Sequence, residues 1–139
     1  MRVLIKGIEF EKLDSDRLMD FLSENKKTQV VDAKCFFGEK HVIHSILQTL
    51  KAFRDKSNIS KREELEFLVR LSGQRQIKNA LSICKPRKKA VFVSWSKNDK
   101  KIFSKLKKEL KPKARALKEP DLETQKGAIE KTAAFYLSS

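Results

Sequence analysis

The sequence predicts an α+β fold, a mostly helical single domain over residues 1–139 with a small mixed or antiparallel β-sheet. Short runs rich in β-branched and aromatic residues near positions 3–8, 28–37 and 90–95 read as strands. The stretches between them carry apolar residues at helical spacing. Glycine and proline are sparse. With 139 residues and 40% hydrophobic content, the chain can bury a core without staples and is not a disordered polymer.

Taken in order, Val3-Leu4-Ile5 and Ile8 form the first strand. Asp14 then caps a helix that turns Leu18, Phe21 and Leu22 inward, with Leu13 packed on Leu18 as a hydrophobic staple, and that helix frays at Asn25. A strand over Thr28–Phe37 ends at Gly38. Ile43, Ile46, Leu47, Leu50 and Phe53 recur at helical spacing between about Lys40 and Asp55. Ser60-Lys61-Arg62-Glu63 has the form of a capping box, leading into a helix with Leu65, Leu68 and Val69 on the core side. Gly73 is suited to the left-handed residue that closes this helix. A short helix with Ile77, Ala80, Leu81 and Cys84 follows and stops at Pro86.

Ala90 to Trp95 is apolar on both faces, hence a covered central strand. Ser96 and Asp99 open a helix with Ile102, Phe103, Leu106 and Leu110 on one side and lysines on the other. Pro112 and Pro120 bracket a basic connection. A last helix from about Asp121 turns Leu122, Ile129, Thr132, Ala133 and Tyr136 inward.

The net charge of +14 is unevenly spread. Residues 85–118 hold 14 basic and two acidic side chains, whereas residues 119–139 are net acidic. A polyanion is the natural partner for such a surface, because each phosphate contact gains from counterion release. No run of about 18 apolar residues is present, so no membrane span is expected, and Val3–Ile5 is too short for a signal-peptide core. Cys35 and Cys84 lack a CxxC spacing and read as thiols of a reduced, cytoplasmic protein.

Catalysis finds little footing. The sequence has no phosphate-binding glycine loop, no GxSxG and no recognisable carboxylate pair. Cys35, His41 and His44 approach a metal-ligand pattern, but no fourth ligand stands out for a structural zinc site. Cys84 has no evident base to make it a nucleophile. No enzyme activity, cofactor, metal or small-molecule substrate is expected.

The polar residues between Asn58 and Ile77 are placed more pointedly. Asn58, Ser60, Lys61 and Arg62 crowd one helix start, where free amides favour a phosphate. Arg70, Ser72, Gly73, Gln74, Arg75 and Gln76 crowd the next break. Gly73 lets a ligand approach the backbone, Arg75 can pair with a phosphate or stack on a base, and Gln76 can bond a base edge. A capped helical turn with a solvated polar rim would also produce this pattern.

Thr28-Gln29-Val30-Val31-Asp32-Ala33, Gly38-Glu39-Lys40-His41, Asn58-Ile59-Ser60, Glu64-Leu65-Glu66 and Leu71-Ser72-Gly73-Gln74-Arg75-Gln76-Ile77 together resemble the PRPK-binding-protein family, in its archaeal form. Ile129 to Ala133 also resembles that family's C-terminal helix, with Thr132 in place of an expected aliphatic residue. The similarity is weakest over 85–118. It implies a non-catalytic subunit of the KEOPS complex, which makes threonylcarbamoyladenosine in tRNA. It further implies binding to the kinase-like ATPase of that complex and to the single-stranded CCA end of tRNA. Carried onto this sequence, the RNA site would comprise Asn58, Ile59, Lys61, Arg70, Ser72, Gly73, Gln74, Arg75, Gln76 and Ile77. Ala134, Phe135 and Leu137 are spare apolar candidates for the kinase face. On this division the lysine-rich 85–118 stretch attracts the tRNA body while the Ser72–Ile77 turn holds its end. A generic basic RNA-binding module, without CCA recognition, is the alternative that charge alone supports.

Overall fold

The computed structural model describes residues 2–138, with side chains described as far as residue 133. Tyr136, expected inward, and the apolar candidates Ala134, Phe135 and Leu137 lie outside the residues with described side chains. The fold is α+β and mostly helical, with an antiparallel sheet, as the sequence predicts. It divides into two compact units, Met1–Ala33 with Pro86–Leu117, and Lys34–Lys85 with Lys118–Ser139. Among the described residues no helix is long and apolar enough to cross a membrane.

The first unit holds the whole sheet, in the order β2-β3-β1-β4: β1 is Leu4–Glu9, β2 Thr28–Asp32, β3 Lys89–Ser94 and β4 Lys113–Ala114. β3 is central, pairing antiparallel with β1 (Leu4 opposite Ser94, Glu9 opposite Lys89) and with β2 (Thr28 opposite Ser94, Asp32 opposite Ala90). Ala90 to Val93 are completely buried, as expected of a strand apolar on both faces. The helices α1 (Ser15–Glu24) and α5 (Asp99–Leu110) belong to this unit. Leu18 and Phe21 of α1, Ile102 and Leu106 of α5, and Ile8, Phe10, Val30 and Phe92 build one core cluster. Asp14 caps α1 by accepting from the Arg17 amide at 3.2 Å, and Leu13 packs on the cluster.

Two elements depart from expectation here. The strand after Thr28 stops at Asp32 and becomes a 3-10 turn over Ala33–Cys35, rather than running to Phe37. Its pairing with β3 ends at Asp32 opposite Ala90. β4, unforeseen, is two residues of the basic connection paired with Ile8 and Glu9. Such a short charged edge carries no periodicity to detect.

The second unit is helical: α2 (Glu39–Arg54), α3 (Glu63–Ser72), α4 (Ile77–Ile83) and α6 (Leu122–Ser138). Gly38, with φ 103°, turns the chain into α2. The buried face of α2 is His41, Val42, Ser45, Ile46, Thr49 and Ala52, while Ile43 and Leu47 of the expected apolar stripe are exposed. Ser45 and Thr49 donate to the carbonyls of His41 and Ser45 at 2.9 and 2.8 Å, so their hydroxyls are satisfied within the helix and can be buried cheaply. An apolar count therefore misplaces the inward face. Leu122, expected inward, is also exposed, at the first turn of α6.

Candidate nucleic-acid interface

The candidate residues lie at the two ends of α3, a helix of ten residues and so about 15 Å long. At its start no capping box forms: the Ser60 hydroxyl accepts from the Arg62 amide at 3.2 Å, and α3 begins one residue after Arg62 without a side-chain cap. Glu66, a full turn inside the helix, reaches back instead. Its Oε1 accepts from the amides of Ile59 and Ser60, both at 2.7 Å, while Oε2 accepts from Arg70 Nε at 2.9 Å. Glu66 and Arg70 are both completely buried. The carboxylate thus occupies two amides of the turn that precedes α3. Asn58 is likewise turned onto its own loop, donating to the Ser60 carbonyl at 2.8 Å.

Arg70 is corrected from a ligand contact to a buried support, since no polyanion can reach its side chain. Ile59 and Lys61 remain exposed beside it in sequence, on the outside of the turn that Glu66 holds.

At the far end, Gly73 adopts the left-handed conformation (φ 72°) and its amide caps the Val69 carbonyl at 3.1 Å. The Ser72 hydroxyl accepts from the Gln74 amide at 3.2 Å, tightening the turn. Arg75 and Gln76 are exposed, and Ser72, Gln74 and Ile77 are half-buried. The structure thus brings Ser72 to Ile77 together but places Asn58, Ile59 and Lys61 at the opposite end of the helix. One pocket made of all ten residues does not form.

A small pocket of about 220 Å³ adjoins the Ser72 end, lined by Phe37, His41, Ser72, Gly127, Lys131 and Thr132 among others. Lys131 also packs against Gly73, where a Cβ would stand 2.7 Å from its Cε. Phe37 meets His41 edge-on with ring centroids 5.7 Å apart. An aromatic ring, a hydroxyl and an ammonium around such a pocket suit a base or sugar with a nearby phosphate. Phe37 and Lys131 escaped sequence reasoning because they are 35 or more positions from Ser72 along the chain. The one available signal was Thr132, a polar residue where an aliphatic one was expected.

Thr132 has polar work to do. Its hydroxyl lies 3.1 Å from the Ala128 carbonyl and 3.1 Å from His41 Nε2. The same hydroxyl also lies 3.4 Å from the Arg70 carbonyl. His41 Nδ1 is buried without a hydrogen-bond partner among the described residues. Protonating it would strand a charge in the interior. Burial first, and the neighbouring His44 second, accordingly hold the His41 pKa down at about 4 against an ordinary 6.5. Burial lowers His44 as well.

The unfolded chain therefore takes up a proton on His41 between pH 6.5 and 4 that the folded chain refuses. The resulting stability is complete above pH 6.5 and is lost as pH falls toward 4, by about 3 kcal/mol in all. Urea melts at pH 7 and pH 4.5 should show this fall, and His41→Gln should flatten it. An equally steep decline in that variant would assign it to other groups. The Cys35–His41–His44 metal arrangement has no thiolate to offer, because Cys35 is bonded to Cys84.

Residues 11–132 match the family model described as kinase binding protein CGI-121. The chain is 31% identical over 87 residues to the KEOPS complex subunit Cgi121 of Pyrococcus abyssi, covering 63% of this chain and 48% of that protein. It is 33% identical over 81 residues to the regulatory protein Cgi121 of Methanocaldococcus jannaschii, covering 58% and 50% respectively. These matches thus span about half the length of each relative. With the family model covering nearly all of both units, the chain belongs to the CGI-121 kinase-binding family.

Proposed function

We infer that this chain is a non-catalytic subunit of a cytoplasmic KEOPS complex, which makes threonylcarbamoyladenosine in tRNA. It binds the 3′ CCA end of tRNA and the kinase-like ATPase subunit, whose activity it supports. The family's description and the names of both relatives support membership in such a complex and a kinase partner. The observation that carries the RNA half is the Ser72–Ile77 turn. There a left-handed glycine, an exposed arginine and an exposed glutamine stand beside a base-sized pocket with a lysine at its wall. An unstacked terminus presents its base faces, base edges and phosphates at once, and this set of groups addresses all three. The helix end at Asn58–Lys61 is a separate flank of that surface, with Ile59 as an apolar contact.

Binding of full-length tRNA against the same tRNA lacking its last three nucleotides tests the reading. Truncation should weaken binding about tenfold or more, and Arg75→Glu should do the same to full-length tRNA while leaving the truncated one unaffected. Equal affinity for the two RNAs would favour the generic RNA-binding module. Stimulation of ATP hydrolysis by the purified kinase-like subunit, measured with the same preparations, tests the partner half.

A further inference from the structure

We propose that the first unit carries a ligand site of its own, a groove beside β1, α5 and β4 that takes a nucleoside phosphate, free or within an RNA strand. The groove has a volume of about 550 Å³, within the range of small-molecule sites. Its walls include Ile5, Phe103 and Leu117, and the charged residues lining it are Lys6, Lys107 and Arg115. No carboxylate lines it, and among the described residues none of the three cations has an ion pair.

The fold holds two of these cations in place by other means. Lys107 Nζ stands 5.1 Å from the Phe103 ring centroid, an aromatic face in the role a carboxylate would otherwise fill. Phe103 is itself packed on Phe92 at 4.9 Å between centroids. Arg115 is anchored through its backbone, its amide donating to the Gly7 carbonyl at 3.0 Å. Gly7 is what permits this approach, because a Cβ there would collide with the Arg115 carbonyl and the Leu117 side chain. Arg115 as a whole is half-buried, with its Nε enclosed and without a hydrogen-bond partner among the described residues. A guanidinium pairs with phosphate oxygens in charge-assisted geometry.

The surroundings favour an anion of high charge density. Of the two carboxylates in residues 85–118, Asp99 is buried and held by Arg2 at 2.7 and 3.1 Å, which leaves Glu109 as the exposed one. Three cations on one groove match a phosphate, and the apolar wall of Phe103, Ile5 and Leu117 gives the rest of a nucleotide a surface to lie on. This site does not depend on the Ser72–Ile77 turn.

Calorimetric titration of the full chain with AMP, ATP, adenosine, inorganic phosphate and a single-stranded octauridylate tests it. Binding of a mononucleotide, or of the octanucleotide alone, supports the site, and the two results distinguish a free nucleotide from an RNA strand. Lys107→Gln and Arg115→Gln should each weaken that binding about tenfold with the thermal melt unchanged. For the octanucleotide, each of the two groove variants should also reduce the slope of log K against log salt by about 0.7. Adenosine or phosphate alone binding as well as AMP would overturn the proposal. So would displacement of the nucleotide by a poly-glutamate peptide, or binding that neither groove variant changes.

Discussion

Replacing Glu66 by alanine is expected to lower the unfolding free energy by about 3–5 kcal/mol, the usual loss when one partner of a buried ion pair is removed. The carboxylate, itself out of solvent, does three things at once: it accepts from two turn amides at 2.7 Å and from Arg70 at 2.9 Å. Alanine leaves those amides without their acceptor and Arg70 without its carboxylate, while opening a cavity of side-chain size. Glu66→Gln keeps an acceptor oxygen but no charge, and should fall between the two. Urea denaturation read by far-UV circular dichroism measures both. A loss under about 1 kcal/mol for the alanine variant would mean that the turn over Asn58–Ser60 stands without this support. The exposed Ile59 and Lys61 ride on that turn, so the same substitution should loosen one flank of the proposed RNA surface.

Glu66 also shows where sequence reasoning stops. The segment from Ser60 to Glu63 has the composition of a capping box, and a local rule can see only the glutamate three residues on. The carboxylate that binds the turn is a further three residues away and is buried because α3 is covered on most of its circumference, from Glu64 to Leu71 apart from Leu65. Charges at Glu66 and Arg70 look like a solvated i,i+4 pair until tertiary packing encloses them. The inward face of α2 misleads for a related reason: its buried Ser45 and Thr49 are polar by composition but satisfied by their own helix. What was legible rests on signals that no packing overrides. The Asp14 cap, the covered strand at Ala90–Val93, the amphipathic α5 and the left-handed Gly73 all appear where the sequence puts them. For the candidate site, the Ser72–Ile77 turn was legible because glycine conformation is local. Its separation from Asn58–Lys61 and its neighbours Phe37 and Lys131 were not, because chain topology decides them.

Reducing the Cys35–Cys84 bond is expected to cost about 4 kcal/mol of stability, the chain-entropy value for a closed loop of this size. The sequence reading of two unrelated thiols is corrected here: the cysteines are 49 positions apart, yet their Cα atoms lie 5.8 Å apart and their sulfurs are joined. Spacing rules detect cysteines that are close in sequence, and this pair meets only because α2, α3 and α4 fold back within the second unit. Both residues are buried, so the bond is a strut rather than an exposed reactive pair. It ties the 3-10 turn before α2 to the residue that caps the end of α4, and α4 is the short helix into which the Ser72–Ile77 turn leads. A seven-residue helix has little stability of its own, so its position relies on this tether and on α3. Melting with and without reductant, alongside a Cys35→Ala/Cys84→Ala double variant, should give matching losses, and the α4 amides should exchange faster in both reduced and variant protein. Thiol titration of the denatured, unreduced chain should find none free. Two free thiols, or identical melts under both conditions, would show that packing alone holds α4 and that the turn it supports needs no covalent strut.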